Sequence, residues 1–313
     1  MPRYYQHSLT VARHAAQHFE DEKVSLVLNL GDLVDGKCQD LPRHGGHPVP
    51  DGTDPGIQAA HDVLTALSAY QSGPVLHAYG NHCLYNLDRS TLQTRLGIPF
   101  VKEPCGDLVG YHTYRHQGVR FVTIDSYDIA LMRRCEKTSQ KRQAAHDILS
   151  KNNPNYPEQE NSPEGLVGVQ KRFVAFNGAV GPVQLQWLRD TLQEARQQNE
   201  RVVILSHQPI LPGSTSPVCL MWNYHDVLHI LREYKDVVVA SFSGHAHKGG
   251  YKRDHKSGIH FRVLEAALEN PPPHKTYAIL EVHDDHLHVQ GFGNCMSAVY
   301  EFDHLPVREV ANN

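Results

Sequence analysis

Asp32, Asn81, His207, His245 and His247 are the residues of this 313-residue chain whose types could do chemistry together. A carboxylate, a side-chain amide and imidazoles can each offer a lone pair to a metal cation. They stand in short steps: Gly31-Asp32, Gly80-Asn81-His82, Ser206-His207 and Ser243-Gly244-His245-Ala246-His247. Taken singly, none is strong. Gly-Asp also begins a capped helix or a turn, and with 23 histidines in the chain a lone His is more often a satisfied core residue. Four repetitions in one context weigh differently.

That context is the set of elements that must position them. Each step ends an apolar run: residues 24–30 (VSLVLNL), 74–79 (PVLHAY), 201–205 (RVVIL) and 236–242 (DVVVASF). Their length and β-branched content predict buried strands. A side chain placed where a parallel strand ends points into the crevice outside the carboxyl edge of the sheet, where open α/β folds put their chemistry. Asp35, three residues beyond Asp32, reads as a neighbouring or backbone-capping group, not as a ligand.

The series GDLVDG, GNH, SH and GHAH resembles the blocks GDxxDx, GNH[DE], [ST]H and GHxH of the calcineurin-like metallophosphoesterases. The resemblance implies a centre of two divalent cations, Mn²⁺ foremost with Mg²⁺ as an alternative. Asp32 falls on the bridging carboxylate, Asn81, His207 and His245 on ligands of the second metal, and His247 on a ligand of the first. His82 falls on the catalytic, non-ligating histidine beside the scissile phosphate. Cys83 stands where the pattern has an acid, which removes the group expected to orient His82. A mixed oxygen and nitrogen donor set suits Mn, Fe or Zn better than Ca. The family takes further first-metal ligands, Asp-x-His or Asp-x-Gln, from an earlier strand. Here the match starts after it, so the domain is expected to be N-terminally incomplete and its first metal site to hold only Asp32 and His247. Asp284-Asp285-His286 reads as solvated loop charge and not as a substitute.

A narrower resemblance runs over almost the whole chain. The stretches RYYQHSL (3–9), FVAFNG (173–178), CLMWNY (219–224) and GHAHKGGY (244–251) are similar to manganese-dependent ADP-ribose/CDP-alcohol diphosphatases. This implies a four-layer α/β/β/α sandwich with two mixed sheets. The implied reaction is hydrolysis of a pyrophosphate bond, with ADP-ribose giving AMP and ribose 5-phosphate, and CDP-choline or CDP-glycerol giving CMP and the phospho-alcohol. By pattern alone Phe176 and Trp222 are core aromatics and Cys219 a small buried hydrophobe. The resemblance instead makes Phe176, Asn177, Cys219, Trp222 and Asn223 walls of a substrate pocket. A rival of another class is a non-catalytic binding or scaffold product on the same fold, favoured by the absent first-metal motif. A phosphoprotein phosphatase has no recognisable groove residues here.

The remaining sequence sets bounds. A length of 313 residues with 40% hydrophobic content supports one sizeable domain over 1–313. The net charge of −4 gives no broad attraction to nucleic acid or anionic membrane, so phosphate recognition must be local. No apolar run approaches a membrane span of roughly 18 residues, and no signal peptide opens the chain. Six scattered cysteines suggest neither a zinc knuckle nor a disulfide framework. A cytoplasmic monomer acting on a small nucleotide is expected. Residues 1–20 carry helical spacing, 37–56 read as an inserted loop, and 133–168 as a polar excursion that could serve as a lid.

Overall fold

The computed structural model describes residues 3–36, 38, 54–133 and 138–303; the loop expected over 37–56 lies almost wholly outside them. In chain order the helices are α1 (Tyr5–Asp21), α2 (Pro55–Leu67), α3 (Asn81–Asn86), α4 (Arg89–Leu96), α5 (Gln140–Asn152), α6 (Pro182–Gln197) and α7 (Tyr224–Glu233). The strands are β1 (Val27–Asn29), β2 (Val75–His77), β3 (Val101–Lys102), β4 (Leu108–Val109), β5 (His112–His116), β6 (Val119–Ile124) and β7 (Arg201–Ser206). They continue with β8 (Val238–Ser243), β9 (Lys248–Arg253), β10 (His260–Glu265), β11 (Tyr277–Val282), β12 (His286–Phe292) and β13 (Ala298–Glu301).

The main sheet runs β5-β6-β7-β8-β10-β9 and is mixed, with parallel pairing from β6 to β10 and antiparallel edges. Every residue of β6, β7 and β8 is buried. That is why these segments read as continuous apolar runs: both faces of the sheet are covered. On one face Val122, Ile204 and Val202 pack with Leu188 and Leu192 of α6 and Leu231 of α7. On the other, Val203, Leu205 and Val239 meet Leu76, Leu287 and Val289 of a second strand layer. With α1 and α2 outside that layer, the order is the α/β/β/α sandwich expected.

The second layer is split. β1 pairs in parallel with β2, and β11, β12 and β13 form a separate antiparallel sheet. Between β1 and β11 lies a cavity of about 1080 Å³, lined by residues 27–30 on one side, 276–278 on the other, and Leu9, Ala12 and Phe19 of α1. At one end it reaches Asp32, His207, His245 and His247. Among the described residues no strand occupies this gap.

Several elements escaped the sequence reading. Within the predicted polar excursion sits α5, its first turn capped by Ser139, whose hydroxyl accepts from the Arg142 N–H at 3.2 Å. It buries Ala145 and Leu149 against Phe173 and Trp222. β9 was hidden by its glycines, and β13 by its short length. No helix among the described residues is long and apolar enough to cross a membrane.

His77, at the end of β2, is 4% exposed and its Nδ1 has no partner among the described residues. Burial lowers its pKa from the ordinary 6.5 to about 4. The folded state therefore keeps it neutral while the unfolded chain takes up a proton. The stability involved is present above pH ~6.5 and is lost as pH falls towards ~4, to a total of about 3 kcal/mol. Urea unfolding at pH 7 and pH 4.5 should show a smaller acid-induced drop in His77→Leu than in wild type; an equal drop would show that His77 does not set the acid limit.

Candidate metal centre

The site is built by two glycines that let three chain segments touch. A Cβ on Gly80 would lie 2.0 Å from Asp32 Oδ1, and one on Gly31 would lie 2.5 Å from His207 Nδ1. Gly31 also has φ +96°, which favours glycine. The Gly-Asp and Gly-Asn steps are thus required by close approach. Asp32 (φ +53°) and His245 (φ +65°) are themselves in the left-handed region. Non-glycine residues there cost on the order of 1–3 kcal/mol and gather at functional sites.

Hydrogen bonds settle which atoms face inward. His207 Nδ1–H donates to the Leu30 carbonyl at 2.7 Å, leaving the Nε2 lone pair free. His245 Nε2–H donates to Asn177 Oδ1 at 2.8 Å, leaving Nδ1. Asn177 must be the acceptor, because its Nδ2 donates to the carbonyls of Arg172 and Val218. His207 Nε2 then lies 3.2 Å from Asn81 Oδ1, 3.2 Å from His245 Nδ1 and 3.3 Å from Asp32 Oδ2. Four lone pairs converge with no proton between the two rings. Such a set is repulsive unless a cation sits among them. The ligand atoms of Asp32, His207 and His245 all lie within 4.8 Å of one another. The donors therefore fit a divalent metal, and the oxygen and nitrogen mixture suits manganese.

The charges agree with that reading. Burial alone would raise the Asp32 pKa, and positive charge at His207, His82 and His245 is what would hold it well below the usual carboxylate range; with those rings neutral, a bound cation supplies that charge. His245 is held far below its ordinary value, first by burial and then by His207. Asn81 begins α3 and takes a long contact, 3.4 Å, from the Tyr127 hydroxyl. His247 lines the same cavity, with Nδ1 2.7 Å from Glu269 Oε1.

A carboxylate does stand beside His82, that of Asp35 and not of the residue that follows it. The Gly36 N–H donates to His82 Nδ1 at 2.8 Å, so its proton resides on Nε2, 3.5 Å from Asp35 Oδ1. Asp35 is in turn held by Arg3 at 2.6 Å and Tyr5 at 3.0 Å. Cys83 instead turns inward and accepts the Leu33 N–H at 3.3 Å. Asp284 and Asp285 are 83% and 87% exposed in the β11–β12 hairpin, as expected of loop charge.

The expected substrate walls divide. Trp222 is 2% exposed, packs with Phe173 and Leu149, and donates its indole N–H to the Val174 carbonyl at 3.2 Å. It is a core residue. Asn223 exchanges hydrogen bonds with both backbone groups of Val180, which makes it a loop tie. Asn177 is fully buried and serves His245. Burial removes Trp222 and Asn177 from the wall, and the half-buried Asn223 is spent on the Val180 backbone: pattern alone cannot tell an aromatic or amide lining a cleft from one beneath it. Phe176 remains, half-buried with its ring 5.7 Å from that of His245. Cys219 also remains, partly exposed beside Val218, its thiol pushed up to about 11 by burial. Asn177, Asp35 and Glu269 are the partners that ligand spacing did not reveal as such.

Comparisons with known proteins agree with this geometry. The sequence model described as Calcineurin-like phosphoesterase matches residues 5–249. A manganese-dependent ADP-ribose/CDP-alcohol diphosphatase of Oryza sativa subsp. japonica is 39% identical over 292 residues, covering 93% of this chain and 84% of that protein. The protein of the same name from Arabidopsis thaliana is 37% identical over 303 residues, covering 96% and 90%. Among solved structures, a dimetal phosphatase from Danio rerio superposes with a TM-score of 0.85 at 30% identity, covering 96% of this chain and 91% of that one.

Proposed function

The chain belongs to the calcineurin-like phosphoesterase family, and from that premise we propose that it is a manganese-dependent hydrolase of the pyrophosphate bond in nucleoside-diphosphate conjugates. ADP-ribose gives AMP and ribose 5-phosphate; CDP-choline and CDP-glycerol give CMP and the phospho-alcohol. The observation that carries this reading is the convergence of four unprotonated donors on one point.

Asp32, Asn81, His207 and His245 would hold one cation, and Asp32 with His247 the other. Divalent cations bound there polarise a phosphoryl oxygen and make water a nucleophile at neutral pH. His82 carries its proton on Nε2, which faces Asp35 Oδ1 at 3.5 Å; turned from that carboxylate toward the departing phosphate, the same N–H would donate to its oxygen as charge develops there. Phe176 offers a ring face for a nucleobase, and Cys219 a compact apolar wall. All these groups come from one chain, which supports a monomer. The five described cysteines are free thiols, which suits a reducing, cytoplasmic setting.

With Mn²⁺ added, the chain should release AMP from ADP-ribose and CMP from CDP-choline, measured by chromatography. His82→Ala is expected to lower turnover by roughly 10²–10³-fold with metal content unchanged. Loss of metal in that variant would make His82 a ligand, and Mn²⁺ binding with no nucleotide released by wild type would leave a binding protein on this fold.

A further inference from the structure

The three ligating histidines differ in what stands behind them. His207 is backed by the Leu30 carbonyl and His245 by the Asn177 amide oxygen, both neutral. His247 alone among them is backed by a carboxylate, Glu269. An anionic acceptor fixes the tautomer with Nε2 unprotonated and makes that nitrogen a stronger donor than a neutral acceptor does.

The turn that carries Glu269 is pinned from several directions. Ala267–Glu269 form a single 3₁₀ turn after β10. The Ala266 N–H donates to the His247 carbonyl at 3.0 Å, and the Tyr4 N–H to the Leu268 carbonyl at 2.9 Å. Asn270 Nδ2 donates back to the Ala266 carbonyl at 2.6 Å. His247 and Glu269 side chains are 21% and 16% exposed. Among the described residues Glu269 makes no other side-chain bond. A carboxylate this enclosed, placed by so many backbone ties and spent on one imidazole, is more than a surface ion pair, which is commonly worth only about 0–1 kcal/mol.

We infer that Glu269 is a positioning residue for the His247 metal position and sets whether that position fills. The inference rests on the two-cation reading above and deepens it. Of the two positions, the one at His247 draws on fewer groups of this chain, Asp32 and His247, so the strength of a single imidazole weighs most there. The position shared by Asn81, His207 and His245 does not use Glu269 and should not respond to it.

The test is Mn²⁺ binding to the whole chain, followed by calorimetry and by EPR, where neighbouring Mn²⁺ ions give an exchange-coupled signal that a single ion does not. Wild type should show a tight and a weaker class of site. Glu269→Gln, which keeps the shape and an acceptor oxygen but removes the charge, should weaken the weaker class alone. Glu269→Ala should weaken it further, by about 10–100-fold, and abolish the coupled signal at Mn²⁺ concentrations that saturate wild type. Adding Glu269→Ala to His247→Ala should change little more, since the two act through one group. The inference is overturned if both Glu269 variants keep wild-type binding, if both classes weaken equally, if the double variant shows independent losses, or if wild type binds a single Mn²⁺. Release of AMP from ADP-ribose by wild type is read separately and bears on the reading beneath it.

Discussion

Asp32→Ala is expected to abolish hydrolysis of both ADP-ribose and CDP-choline, with a loss on the order of 10³-fold or more. Asp32 is the only anion of the four-donor cluster, and its Oδ1 also accepts the His82 N–H at 2.9 Å. Removing it leaves neutral donors around the cation and frees the start of α3. Charge stabilisation by a bound metal is worth several kcal/mol, and about 4 kcal/mol corresponds to 10³-fold in rate. Asp32→Asn separates the causes, because asparagine tolerates the left-handed backbone that Asp32 adopts. If charge is what matters, Asn will fold as wild type does, bind Mn²⁺ weakly and be nearly as inactive as Ala. An Asn variant with substantial turnover would refute the assignment of Asp32 to the metal.

A version extended ahead of Met1 by a strand ending in Asp-x-Gln is expected to be both more stable and far more active. The cavity between β1 and β11 offers two strand edges and an apolar floor from α1. A strand there pairs its backbone on both sides and buries alternate side chains, each worth about 1.5–3 kcal/mol before ordering costs. A net gain of about 3 kcal/mol raises the melting temperature by roughly 5 °C for a chain of 313 residues. Its terminal Asp and Gln join Asp32 and His247, doubling the groups at that metal position. Turnover should rise by roughly 10²-fold with Mn²⁺ present. Equal turnover and equal melting temperature in the two versions, at matched soluble concentration, would show that the gap needs no strand.

How much of this could be read from residues alone follows a physical line. Asp32, Asn81, His207 and His245 were legible because each closes an apolar run, and parallel strands bring their ends together. The groups behind them were not legible in that way. Asn177 lies 68 positions from His245 and Glu269 lies 22 from His247, and both sit on turns whose placement is set by backbone ties, not by periodicity. The helix α5 was missed because its apolar residues are few and its polar ones many. Trp222 and Asn177 were misplaced as pocket walls for the opposite reason: a conspicuous aromatic and amide sit one layer below the surface they resemble. Asp35 was seen, but its partner His82 is 47 residues further on and reaches it only across the loop end of β1.

Asn177 has a consequence for how such a site can diverge. Its amide holds His245 with the oxygen, and with the nitrogen it ties the carbonyls of Arg172 and Val218, next to Cys219. No other side chain reproduces that one acceptor and two donors in the same volume, so drift at this position is closed. Phe176 and Cys219, on either side of these ties, bear no hydrogen bond to the donors and are open to exchange. If the proposed pocket is right, descendants of such a chain trade one nucleoside conjugate for another by small steps at these two side chains, while the cluster around Asp32 stays unaltered.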